Sequence, residues 1–170
     1  MTVAVHAAIG IGPRRARLAQ HALVRGVYTS VQHMLHLTIE QFMTKSPLTI
    51  GHDQPLSAAH QLMRDHDIRH LPVLDGANLV GIVTQRDLHL IETLKDVDPT
   101  TVLVSEAMSA EVYTVGPHAT IRKIVSQMAT HKYGSVVVMQ DEQVVGVFTT
   151  LDALRVLYGV LELDRQEDPD

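Results

Sequence analysis

The chain has 170 residues, 45% of them apolar, enough to build one domain or two small ones, and it contains no cysteine, which excludes disulfides and thiolate metal sites. Its net charge of −5 is unevenly laid: residues 1–39 hold Arg14, Arg15, Arg17 and Arg25 and no acid, while the remainder sets ten basic against 19 acidic side chains. That acidic body, with no Trp and two Phe, speaks against nucleic-acid binding, and no apolar run approaches the roughly 20 residues of a membrane span, so a soluble cytoplasmic protein is expected.

Residues 1–36 pass through Gly10, Gly12 and Pro13 into an Arg- and Ala-rich stretch that lacks the anatomy of a secretory signal. They are expected to be a basic, flexible extension, the alternative being a short arm for an anionic partner. A turn is then expected over 39–44, ending at Met43, and a short extended segment over 47–50, closed by Gly51. Ser57 can cap a helix whose apolar residues Ala58, Ala59, Leu62 and Met63 fall at helical spacing. Residues 71–74 and 79–83 are short apolar runs separated by Asp75-Gly-Ala-Asn78, the signature of a β-hairpin, and 85–95 reads as a closing helix. After the proline-broken 96–100, where a boundary is placed near Pro99, the order repeats. A turn is expected over 106–108, a strand over 112–115, a helix over 120–131, a hairpin of 135–139 with 144–148 around Asp141 and Glu142, and a helix from Leu151 to about Leu161. Residues 162–170, rich in acids, are expected to be a solvated tail.

The repetition is explicit. Gly81-Ile-Val-Thr-Gln-Arg-Asp87 returns as Gly146-Val-Phe-Thr-Thr-Leu-Asp152, and the same offset pairs Met43 with Met108, Thr49 with Thr114, Gly51 with Gly116, Met63 with Met128, His66 with His131, Val73 with Val138 and Val80 with Val145. Two copies of one supersecondary unit are implied, residues 37–98 and 99–161, each too small to bury much alone. Packed about a pseudo-twofold axis, sheet edge against sheet edge, they would bring both Thr-x-x-Asp motifs to a shared cleft. By itself Thr-x-x-Asp is a helix capping box.

The order helix, Ile-Arg-His-Leu-Pro-Val-Leu-Asp, strand, Gly-Ile-Val-Thr-x-x-Asp, helix, given twice over about 37–161, resembles the tandem CBS-domain pair, or Bateman module. The resemblance implies an α+β fold of two β-α-β-β-α repeats, frequent homodimerisation, and binding of an adenosine-containing ligand of the AMP, ADP, ATP or S-adenosylmethionine class between the repeats. On the family's pattern Asp87 and Asp152 contact ribose, and Thr84 and Thr149 contact phosphate. Charged acceptors suit sugar hydroxyls, and a helix N-terminus suits phosphate, so the assignment is chemically coherent. Arg69, His70, Arg86 and Ser135 stand as phosphate contacts. Thr49, Ile50, Ile68, Thr114, Val115 and Tyr133 stand as base contacts. Because Gly134, Ser135 and Leu151 replace Arg69, His70 and Arg86 in the second copy, the two sites are expected to differ.

No Walker loop, dinucleotide-binding glycine motif or nucleophile elbow is present, so an enzyme is not expected, nor an obligatory cofactor. Of 11 histidines, His33-x-x-His36 and His66-x-x-x-His70 have ligand-like spacing, but neither is joined by a third ligand, and no metal is expected. The reading is therefore a sensor that signals to a regulated protein; a ligand-independent interaction scaffold, in which Thr-x-x-Asp only caps helices, is the alternative.

Overall fold

The computed structural model describes residues 36–95 and 98–166. The basic extension over 1–35, the linker residues 96–97 and the end of the acidic tail, 167–170, lie outside the described residues.

After a 3₁₀ turn at Ile39–Gln41, the first copy comprises β1 (Thr44–Lys45), β2 (Ile50–Gly51), α1 (Leu56–Asp65), β3 (His70–Asp75), β4 (Asn78–Thr84) and α2 (Gln85–Glu92). The second comprises α3 (Val104–Ala107), β5 (Thr114–Val115), α4 (Ile121–His131), β6 (Ser135–Gln140), β7 (Gln143–Thr149) and α5 (Thr150–Gln166). Without β1 and the leading turns, each copy is the expected β-α-β-β-α unit.

The hairpins follow from their turn residues. Gly76, at φ 60°, and Ala77 join Asp75 to Asn78, while Asp141 and Glu142, at φ 48° and 63°, join Gln140 to Gln143. Positive φ at the first central residue, or at both, gives the turn a twist that matches the flanking strands, and in the first hairpin glycine supplies it. In each copy the first strand adds in parallel to the hairpin: β2 to β3 and β5 to β6. Ser57 does not cap α1. The helix begins at Leu56, two residues earlier than a Ser57 cap implies, with Pro55 at its N-cap, and its first amides donate to backbone carbonyls of the inter-repeat segment, Leu56 N–H to Val102 O and Ser57 N–H to Pro99 O, both at 2.9 Å. No hydroxyl is needed where carbonyls already satisfy those donors. At the other end of the chain α5 continues to Gln166 rather than ending near Leu161, because 162–166 contains no glycine or proline to break it.

The two copies exchange their leading turns. Val104 of α3 is fully buried in the core of the first copy, with Leu56, Leu71, Val73, Val83 and Leu88. Ile39, which precedes the first copy, is fully buried in the core of the second, with Ile121, Ile124, Val136, Val138 and Phe148. Matching backbone bonds hold both crossings: Ile39 N–H donates to Ala119 O, and Val104 N–H to Gln54 O. A third cluster, Ile82, Val137 and Val147, joins the sheets. The crossing also explains two repeated glycines. Met43 passes over Gly146 and Met108 over Gly81, where a Cβ would come within 2.5 Å of the Met108 sulfur.

Candidate functional site

Both Thr-x-x-Asp motifs fold as capping boxes at the point where a hairpin strand ends and a helix begins. Thr84, extended at φ −117° and ψ 159°, accepts from Asp87 N–H. Asp87 Oδ2 in return accepts from Thr84 N–H at 2.9 Å and from Thr84 Oγ1–H at 2.7 Å. The same distances recur at Thr149 and Asp152. One carboxylate oxygen of each Asp is thus spent on the cap, and the other, Oδ1, is left for further partners. On Asp152 it accepts from Arg155 Nη1 at 3.0 Å. On Asp87 it has no hydrogen bond to the described residues. Asp152 is the more enclosed of the two, at 7% exposure, and is the only buried charged group among the described residues.

Asp152 opens onto a cleft of about 730 Å³ built from both copies. The second copy supplies Thr149, Thr150, Leu151, Asp152, Leu154 and Arg155. Facing them from the first copy are Thr44, the 46–48 segment and 66–70, which includes Ile68, Arg69 and His70. The crossing of the chains decides this composition. Strand β1 pairs antiparallel with β7, Thr44 opposite Val147, and so carries the first copy's entry segment onto the second copy's sheet.

His70 sits where the two halves meet. It lies opposite Thr84 in the β3–β4 ladder, and its Nε2 is 3.5 Å from where a Gly134 Cβ would be. Burial pushes its pKa below the ordinary histidine value; Asp87 pulls the other way, Arg69 adds to the depression and Asp152 opposes it. The half-buried imidazole thus feels the carboxylates of both motifs.

The predicted site residues separate into groups. Thr149, Asp152, Ile68, Arg69 and His70 come together in the cleft, whereas Arg86 does not line it and stands exposed in the first turn of α2, beside Asp87. Arg69 and His70 line the cleft onto which Asp152, from the other copy, opens. Ser135 lies opposite Thr149 in the β6–β7 ladder. Thr49 and Ile50 do not line the cleft; Ile50 is 7% exposed in the first core, and Pro47 and Leu48 occupy the wall instead. Thr114 and Val115 pair with Val137 and Val138 in the second sheet. Tyr133, the repeat counterpart of Ile68, stacks on Tyr113 and on His131 at centroid distances of 5.1 and 5.3 Å, so the surroundings of the two motifs differ in kind. Sequence reasoning missed Arg155 and Leu154, although Arg155 stands three positions beyond Asp152 on a helix, a spacing that shares a face.

The cleft can hold an anionic, partly apolar ligand: cations at Arg69 and Arg155, a fixed carboxylate acceptor, helix-start amides at α5, and apolar walls from Pro47, Leu48, Ile68 and Leu154. Among the described residues no helix is long and apolar enough to cross a membrane.

Comparison with known proteins agrees with this geometry. The profile of the CBS domain matches twice, over residues 39–90 and 104–159. Hypoxic response protein 1 of Mycobacterium tuberculosis is 31% identical over 121 residues, spanning 71% of this chain and 85% of that one. The crystal structure of Hypoxic Response Protein I with two coordinated zinc ions superposes with a TM-score of 0.62 at 31% identity, over 69% of this chain and 97% of that one. The CBS domain pair of protein MJ0100, solved with 5′-methylthioadenosine and S-adenosyl-L-methionine, gives a TM-score of 0.66 at 25% identity, over 72% and 96%. The chain belongs to the CBS-domain family, as a tandem pair of CBS repeats.

Proposed function

We propose that this CBS pair is a regulatory sensor whose ligand is an adenosine-containing molecule, held in the cleft between the repeats at Thr149 and Asp152. The observation that carries this reading is the Asp152 carboxylate: buried, fixed by its cap, and lining a two-copy cleft with Arg69, His70 and Arg155 around it. Asp152 Oδ1 accepts from the ribose hydroxyls once Arg155 turns to the ligand's phosphate or carboxylate, which converts an internal ion pair into ligand contacts. The adenosine ligands of the MJ0100 pair support the ligand class. Asp87, with Arg86 beside it and Tyr133 in place of Ile68, forms a second and unlike site.

Because the cleft walls belong to different repeats, occupancy biases how the repeats sit against each other, and a partner with differential affinity for the two arrangements reads that bias. A homodimer is part of this reading. Leu151, Leu154, Tyr158 and Leu161 are exposed apolar residues along α5, with Leu90 and Leu94 exposed near the end of α2.

Thermal unfolding of the full chain with AMP, ADP, ATP, 5′-methylthioadenosine and S-adenosylmethionine in turn tests the proposal. A ligand at about 100 times its Kd adds about 2.7 kcal/mol, a rise of roughly 5–10 °C for a chain of this size. A selective rise that Asp152→Asn removes is expected. No rise with any of them refutes the sensor reading and favours the scaffold, in which both capping boxes serve only their helices.

A further inference from the structure

A second group of ligating side chains stands apart from the cleft, on the seam between α1 and α2. His60 comes from α1; His89 and Glu92 come from α2, three positions apart and so on one helical face. One ligand atom from each of the three lies within 4.8 Å of the others. His60 Nδ1 and Glu92 Oε1 are 2.7 Å apart, and their side chains keep only 24% and 25% of their exposure. The two imidazoles meet edge to face, with centroids 5.3 Å apart and planes inclined at 63°.

We propose that His60, His89 and Glu92 bind a divalent transition-metal ion of the zinc type. Two imidazole nitrogens and one carboxylate are a sufficient protein set for tetrahedral zinc, the fourth position being left to water or another donor. Mixed nitrogen and oxygen donors disfavour magnesium and calcium, which take oxygen almost exclusively. Neighbouring ligands around zinc are about 3.3 Å apart when each bond is near 2.05 Å, so small rotations of the three side chains convert the present spacing into a coordination shell. The scaffold is already fixed: Leu56, Ala59 and Met63 of α1 and Leu88 of α2 are buried in one core, which holds the two helices in register while their polar seam faces outward. The metal would clamp α1 to α2 in the turn that follows Asp87. Sequence spacing could not show this site, because His60 and His89 belong to different helices with a whole hairpin between them; the expectation of no metal rested on pairs of histidines close in the chain.

The test uses the full chain, freed of metal by chelation, titrated with Zn²⁺ against a chromophoric chelator, and then with Co²⁺ as a spectroscopic probe. Wild type is expected to take up Zn²⁺ at this site. His60→Ala, His89→Ala and Glu92→Gln are each expected to weaken the binding by about 100-fold or more, beyond what loss of a supporting hydrogen bond causes. The Co²⁺ adduct should show the intense visible bands of a four- or five-coordinate ion, weakened in the same three variants. Mg²⁺ should not compete. His89 is exposed, so His89→Ala remains informative if His60→Ala unfolds. Asp152→Asn is expected to keep full Zn²⁺ binding, which separates this site from the cleft. Absence of saturable Zn²⁺ uptake by wild type, or wild-type affinity in His89→Ala and Glu92→Gln, overturns the proposal, the latter by assigning the zinc to other histidines.

Discussion

Replacing Asp152 by Asn removes a charge and little volume, and the structure sets the size of the response. Asp152 accepts three hydrogen bonds, from Thr149 N–H at 2.9 Å, Thr149 Oγ1–H at 2.7 Å and Arg155 Nη1 at 3.0 Å. An Asn oxygen can keep the cap, but its amide then faces the Arg155 guanidinium as a donor against a donor. The two cap bonds change from charge-assisted to neutral, a loss of about 1–1.5 kcal/mol, and the α5 N-terminus loses a negative charge, about 0.5 kcal/mol. The Arg155 side chain is 70% exposed, so its pair adds little. A total near 2 kcal/mol lowers Tm by about 4–8 °C. Asp87→Asn, in a box of the same geometry but without an arginine partner among the described residues and less buried, should respond more weakly. Calorimetric melts of both variants, each repeated with AMP and ATP at millimolar concentration, measure the cap and ligand effects separately. A ligand-free melt of Asp152→Asn that coincides with wild type would refute the argument that the charged cap holds α5. Retention of a wild-type ligand-induced rise would refute the ribose assignment while leaving the cap intact.

Two further outcomes follow from the packing and the charges. Because burial holds the folded-state pKa of His70 below its unfolded value, its contribution to stability is complete above about pH 6.5 and is lost as pH falls towards the folded value; Asp87 and Asp152 reduce this effect and Arg69 enlarges it. Tm measured from pH 7.5 to pH 5 should therefore fall less steeply in His70→Gln than in wild type, and parallel curves would contradict the assignment. Ile39→Ala and Val104→Ala empty fully buried positions in the second and the first core. Losses of about 2–5 kcal/mol for the isoleucine and roughly half that for the valine are expected from urea unfolding, with a single transition in both cases because the exchanged turns couple the repeats. Separate transitions for the two halves would show that the exchange does not couple them.

Local chemistry made much of this molecule legible before its structure. The alternating apolar runs, the turns at 75–78 and 141–142 and the two Thr-x-x-Asp boxes are each written within a short stretch of chain, and strand, hairpin and cap depend on contacts of that range. The constant offset between the two heptapeptides then set the number of repeats, and the β-α-β-β-α order followed. The tertiary structure alone decided which pieces of the two copies meet. Ile39 and Val104 read equally well as apolar residues of a leading turn in their own copies, and only the closed core shows that each fills the other's. Likewise Arg69 and His70, which in the chain lie far nearer to Asp87, also line the cleft of Asp152, onto which the pairing of β1 with β7 carries the first copy's entry segment. The His60, His89 and Glu92 group arises in the same way, from the packing of two helices. Periodicity and capping act between neighbours in the chain and are fixed by the sequence at short range, whereas a cleft or a ligand set needs side chains from distant segments, whose juxtaposition is set by burial of the whole apolar surface.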